Sequence, residues 1–145
     1  MGGGVVRDPK GKIRPLILVD TSVWIDYFRG RESAEVATLE RILQQEEDLC
    51  ISGIILTEIL QGVSSETEYR RVRSALDPLI FLNMPLEAYH LAAEIYRNAK
   101  SRGRIIRNTI DCLIAACAIV HHAPLLHCDK DYETISKVSR LKCMT

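Results

Sequence analysis

The stretch Leu16 to Phe28, LILVDTSVWIDYF, constrains this chain more than any other. Leu16 to Val19 is an apolar run too short for a helix and bounded by Pro15, which fits a buried strand. Asp20 stands at its carboxyl end, and the amphipathic continuation reads as a helix that Ser22 can cap and Gly30 can terminate. In parallel α/β sheets that edge is where ligands bind, because the chain turns there into a helix with free N-terminal N–H groups. A lone aspartate after a strand can also simply start a turn. What separates the two readings is whether other acids recur in the same topological place.

Strands and helices alternate along the rest of the chain. Val36, Leu39, Ile42 and Leu43 recur at helical spacing between Ser33 and Glu47, and Leu49 to Ser52 is a second strand whose Ser52 can cap the next helix. That helix carries Glu58 on the same side as Ile54 and Ile55. A charged helix from Glu66 to Leu76 is closed by Asp77 and Pro78 before a third strand, Leu79 to Leu82. Pro85 opens a long helix with Leu86, Tyr89, Ala92, Ala93, Tyr96 and Ala99 on one stripe, ended by Gly103. Thr109 to Val120 is apolar on most sides, as expected of a central helix; Leu125 and Leu126 form a fourth strand, and a helix around Tyr132 to Val138 leads to a last short strand at Leu141 to Met144. The alternation implies an α/β fold, a mainly parallel central sheet of four to five strands flanked by helices on both faces. Residues 1–15, with three consecutive glycines and no periodic apolar face, read as a disordered or tag-like tail, which leaves residues 16–145 as a single domain.

At 145 residues and 47% hydrophobic, such a domain has room for a proper core without disulfides. The net charge is zero, so nucleic-acid binding must come from a local patch and not from bulk charge. The five cysteines are an odd number, with Cys112 and Cys117 inside an apolar helical pattern, and are expected to be reduced in a cytoplasm. No apolar run approaches the ~20 residues that span a bilayer, so no membrane partner is expected.

Four acids stand out by context. Asp20 follows strand one, Glu58 sits among Ile and Leu, Asp111 is the charge in the first turns of the apolar helix, and Asp129 follows strand four. Asp111 can serve the helix dipole and Asp129 a turn, but an ionised Glu58 on an apolar face is costly unless paired or bound to a cation. If the four converge, two charges about 5 Å apart repel by about 3 kcal/mol even at an effective dielectric near 20. A divalent cation removes that conflict, and all-oxygen ligands suit Mg²⁺ or Mn²⁺; no CxxC pair or HExxH helix suggests zinc. Carboxylate-held Mg²⁺ without a phosphate-cradling glycine loop points to phosphodiester hydrolysis. Ser22, two residues after Asp20, is placed to orient that carboxylate.

The blocks VDTSVWIDYF, TEILQG, IRNTIDCLIAACAI and LLHCDKDYETI, in this order, resemble PIN-domain ribonucleases, and within them the toxin member of VapBC toxin–antitoxin pairs. The resemblance covers Leu16 to about Ile135. It implies a PIN-like fold and a Mg²⁺-dependent endoribonuclease, usually a homodimer, whose RNA cleavage is inhibited by a cognate VapB-like antitoxin that blocks the acidic pocket. Matched by motif position, Asp20, Glu58, Asp111 and Asp129 are the catalytic, metal-holding acids, while Asp131 matches a less uniform acid and is expected to support them from behind.

Arg97, Lys100, Arg102, Arg104 and Arg107 form a basic stretch leading into the helix of Asp111. Either it is a solvated helix end, or Arg102, Arg104 and Arg107 hold RNA phosphates beside the metal. Arg70, Arg71 and Arg73 are more ambiguous, and Trp24, Tyr27 and Phe28 suit a core or antitoxin groove better than base stacking. The rival class is a non-catalytic acidic-pocket module, either receiver-like or a degenerate nuclease fold. A receiver needs a second acid pair at the first strand's end and an aspartate after the third, where this chain has Asn83, Met84 and Pro85. A haloacid-dehalogenase-like phosphatase needs an aspartate where Ser22 stands, and the degenerate nuclease would lack one of the four carboxylates.

Overall fold

A computed structural model of the chain describes residues 6, 7, 9–11 and 13–144. In the segment read as a tail, β1 (Val6–Arg7) pairs antiparallel with β2 (Ile13–Arg14), and Gly11 takes the positive φ of the turn between them. Residues 1–5, 8 and 12 of that segment lie outside the described residues. Arg14 ties the ribbon to the domain through an ion pair with Asp48 at 3.4 Å. Strands of two residues leave no periodic signal for a sequence reading to find.

The domain then runs β3 (Ile17–Val19), α1 (Thr21–Phe28), α2 (Ala34–Gln44), β4 (Leu49–Ser52), α3 (Gly53–Gln61), α4 (Glu66–Leu76), β5 (Ile80–Leu82), α5 (Leu86–Ser101), α6 (Thr109–Val120), β6 (Leu125–Leu126) and α7 (Lys130–Val138). The four longer-range strands form one parallel sheet in the order β5-β4-β3-β6. Every residue of β3 and β4 is buried; because successive side chains point to opposite faces, both faces of the sheet are covered. The expected strand at Leu141 to Met144 is reduced to a single parallel bridge between Leu125 and Cys143, held by Leu125 N to Lys142 O at 2.9 Å and Met144 N to Leu125 O at 2.8 Å. Its partner β6 is only two residues long, so the ladder has nowhere to continue.

Helix starts follow the local chemistry, with one correction. Ser33, Ser52 and Ser65 cap α2, α3 and α4 through their hydroxyls, but α1 is capped by Asp20 and not by Ser22. An aspartate already in extended conformation at the strand end can accept from the N–H of Ser22, which places the cap two residues earlier. Gly30 and Gly103, with φ of +72° and +71°, end α1 and α5.

The buried face of α5 also differs from the expected stripe. Ala88, Ala92, Ile95 and Ala99 are buried, whereas Leu86, Tyr89 and Tyr96 are exposed. Two stripes of the same period run along this helix, and the smaller one packs inward because α5 lies against α6, whose buried face carries Ala115, Ala116 and Ala118. Close helix approach selects small side chains over large ones. Ile95→Ala is therefore expected to lower the unfolding free energy by about 2–5 kcal/mol, and Tyr96→Ala by about 0.5 kcal/mol or less, measured by urea denaturation. A larger loss for Tyr96→Ala would place the wrong face of α5 in the core.

Candidate metal centre

The chain leaves β3 toward β4 on one side and returns to β6 on the other, so strand order reverses at the carboxyl end of β3. In open parallel sheets this reversal opens a crevice for ligands. Asp20 follows β3 there and Asp129 lies three residues past β6, while Asp20 N donates to Leu126 O at 2.9 Å and locks the two strand ends together.

Each acid is fixed by its element. Asp20 is buried, and its Oδ2 accepts from Ser22 N at 3.3 Å and Ser22 Oγ at 2.6 Å, while its Oδ1 accepts from the Tyr132 hydroxyl at 2.8 Å. The same hydroxyl lies 3.3 Å from Asp111 Oδ1, in the first turn of α6. One proton cannot serve both fully, and the shorter contact goes to Asp20. Asp129 caps α7 by accepting from Asp131 N at 2.9 Å, and its own N–H donates to His127 Nδ1 at 3.2 Å. Asp131 lies in the first turn of α7 and is buried. Asp111, Asp129 and Asp131 each place one oxygen within 4.8 Å of the others. Oxygens bound to one Mg²⁺ stand about 3 Å apart when adjacent and about 4 Å when opposite, so small side-chain adjustments close this group on a cation.

Geometry thus divides the residues expected from sequence. Asp111 and Asp129 converge, and Asp131 places an oxygen in the same group. Asp20 is one hydroxyl away through Tyr132, and Ser22 orients it. Glu58 is half-buried outside that group and accepts from Thr21 Oγ1 at 2.7 Å, one residue along from Asp20. Arg107 does not face open solvent alone: its Nε donates to Asp131 Oδ2 at 3.3 Å and its Nη2 stands 3.6 Å from Asp129 Oδ1. Arg102 donates to Lys137 O at 3.4 Å, and Arg104 is exposed. Arg70 and Arg71 pair with Glu66 and Glu68 on α4. Trp24 is buried against Tyr27 and Phe28.

Tyr132 and Thr21 are the residues that sequence reasoning missed. The one available signal was a tyrosine on a buried helix face, which needs a partner for its hydroxyl. Burial and the neighbouring Asp20 and Asp111 push its phenol far above the ordinary range, so it remains a donor. Asp111 is pushed up to about 6, first by burial and then by Asp20 and Asp129, with the Tyr132 hydrogen bond opposing.

Comparison with known proteins follows the same lines. The PIN domain family profile matches residues 17–138. The chain is 34% identical over 129 residues to VapC ribonuclease Mb1587 of Mycobacterium bovis, covering 88% of this chain and 96% of that one. It is equally similar, with the same coverage, to ribonuclease VapC11 of Mycobacterium tuberculosis. Among solved structures, VapBC-1 from nontypeable Haemophilus influenzae superposes with a TM-score of 0.69 at 23% identity, over 89% of this chain and 96% of that one.

The raised Asp111 carboxyl makes metal-free stability pH-dependent. The folded form binds this proton more tightly than the unfolded chain, whose ordinary value is 3.8, so the contribution is present at low pH and lost as pH rises through about 6. The metal-free melting temperature is expected to fall between about pH 4 and pH 6.5, and to fall less in Asp111→Asn. Equal falls in both proteins would show that Asp111 does not carry the linkage.

Proposed function

The chain belongs to the PIN domain family, and from that premise we propose that it is a divalent-metal-dependent endoribonuclease, the toxin of a type II toxin–antitoxin pair. The observation that carries this reading is the convergence of Asp111, Asp129 and Asp131 at the strand-order reversal, with Asp20 joined to them through Tyr132. The relatives at 34% identity are named ribonucleases, which supports RNA as the substrate. We assign residues 16–145 to one such domain, in the cytoplasm; among the described residues no helix is long and apolar enough to cross a membrane, and the five cysteines are free.

The acids Asp20, Glu58, Asp111, Asp129 and Asp131 offer only hard oxygen donors, which fits Mg²⁺ with Mn²⁺ as a substitute. When bound, the cation supplies positive charge to a scissile phosphate and acidity to the attacking water. The chain's own residues prepare the place. Ser22 and Tyr132 hold both oxygens of Asp20, so this carboxylate is oriented before any ligand arrives. Thr21 does the same for one oxygen of Glu58. Asp111 gives up its proton as the site fills, so metal binding tightens from about pH 5 to pH 8. We assign RNA phosphates to Arg102 and Arg104, which precede α6 in the chain; such local contacts require no excess of bulk charge.

Two surfaces suit protein partners. A cavity of about 260 Å³ is lined by Ile25, Phe28, Ile59, Val63 and Val72, with Arg29 and Glu68 beside them. It is formed by the C-terminal halves of α1 and α3 together with α4, an apolar hollow that we assign to an antitoxin segment. The solved relative from Haemophilus influenzae is a VapBC structure, which supports a partner of this kind. The exposed Leu86, Tyr89 and Tyr96 of α5 suit a homodimer face.

Antitoxin-free protein is expected to cleave cellular RNA endonucleolytically with Mg²⁺ or Mn²⁺ and to stop on addition of EDTA. Asp20→Asn, Glu58→Gln, Asp111→Asn and Asp129→Asn are each expected to lose about tenfold or more of the activity. RNA or partner binding without metal-dependent cleavage would favour the non-catalytic module instead.

A further inference from the structure

The converging carboxylates already have a cation beside them. Arg107 lies in the connection between α5 and α6, four residues before Asp111, and its guanidinium reaches across to α7. It contacts Asp131 Oδ2 at 3.3 Å and Asp129 Oδ1 at 3.6 Å, two of the three acids that stand within 4.8 Å of one another. Among the described residues no other basic side chain is ion-paired to Asp111, Asp129 or Asp131. The two sides of this contact are unequal. The Asp131 side chain is 11% exposed and cannot withdraw to water, whereas that of Arg107 is 74% exposed and can.

We infer that Arg107 is a resident counter-cation that neutralises Asp129 and Asp131 in the free protein, competes with the divalent metal for them, and is displaced when the metal binds. This rests on the metal-binding reading given above and adds that the chain carries its own competitor. A guanidinium stays charged at any working pH, so it leaves by moving and not by losing a proton. Once released, its planar fork is free beside the filled site, where a phosphate can be held through two N–H groups. The sequence expectation that Arg107 binds RNA phosphate and its observed pairing with carboxylates then describe successive states of one side chain. In the metal-free protein the acids occupy it; with metal bound, an anion can.

The test titrates Mn²⁺ alone into the full chain by calorimetry, comparing the wild type with Arg107→Ala and Arg107→Gln; the glutamine keeps hydrogen-bond donors should the alanine variant fail to fold. Both variants are expected to bind Mn²⁺ about two- to fivefold more tightly, the scale of a partly exposed ion pair. Their metal-free melting temperatures fall while the rise on adding Mn²⁺ grows. Unchanged or weaker Mn²⁺ binding in the variants would make Arg107 a brace that positions the carboxylates and would overturn the competition. Absence of Mn²⁺ binding in the wild type and both variants would overturn the metal site itself, a different result from a wild type that binds and variants that do not gain.

Discussion

Repulsion between carboxylates is the constraint on which this structure turns. Two unit charges about 5 Å apart oppose each other by about 3 kcal/mol at an effective dielectric near 20, and here several acids meet at one edge of one sheet. The chain answers each with a different device. Asp20 is held on both oxygens, by Ser22 and by Tyr132; Asp129 also caps α7; Asp131 lies against Arg107. Asp111 receives only the weaker share of the Tyr132 hydroxyl, and it is the acid whose carboxyl is pushed up to about 6. The strain is not spread evenly, and it remains where a cation would relieve it.

The fold makes this arrangement tolerable by keeping the acids out of the core. β3 and β4 are buried on both faces, and the charges begin one residue past β3 and three past β6. They are therefore near the ends of helix axes, where free N–H groups favour negative charge. Asp20 and Asp129 are N-caps of α1 and α7, and Asp111 and Asp131 lie in the first turns of α6 and α7. Starting a helix and preparing a metal site need the same thing, a carboxylate oxygen at the open end of a strand–helix junction. The capping and first-turn placements of these acids leave their remaining oxygens turned to the same pocket, which is why a structural reading and a metal-binding reading could not be separated on sequence alone. A site organised this way gives up some stability for a poised pocket, as functional sites commonly do.

Much of this was legible in the residues. Apolar runs of four bounded by turn residues marked β3 and β4, the near-continuous apolar pattern marked α6, and their alternation gave a parallel sheet with acids at its carboxyl edge. What was not legible depends on distance in space and not in sequence. The hydroxyl of Tyr132 reaches the carboxylate of Asp20, 112 residues away, and nothing in DKDYETI signals that. Asp131 enters from sequence only as a less uniform acid of the family resemblance, and that the first turn of α7 brings it beside Asp111 as well as Asp129 depends on the fold. Arg107 reads as part of a basic run, and only its position against α7 turns it toward carboxylates. On α5 two stripes share one period, so periodicity could not choose between Tyr96 and Ile95; the small residues of α6 did.

The proposed function requires that the converging oxygens hold one cation. A crystal soaked in Mn²⁺ and measured for anomalous scattering addresses this directly. The expected result is a single strong peak about 2.1 Å from oxygens of Asp111, Asp129 and Asp131, on the side of the pocket that Asp20 faces, with the Arg107 guanidinium withdrawn from both carboxylates. A map with no peak among these acids at saturating Mn²⁺, or with its peak held by a different set of residues, would contradict it.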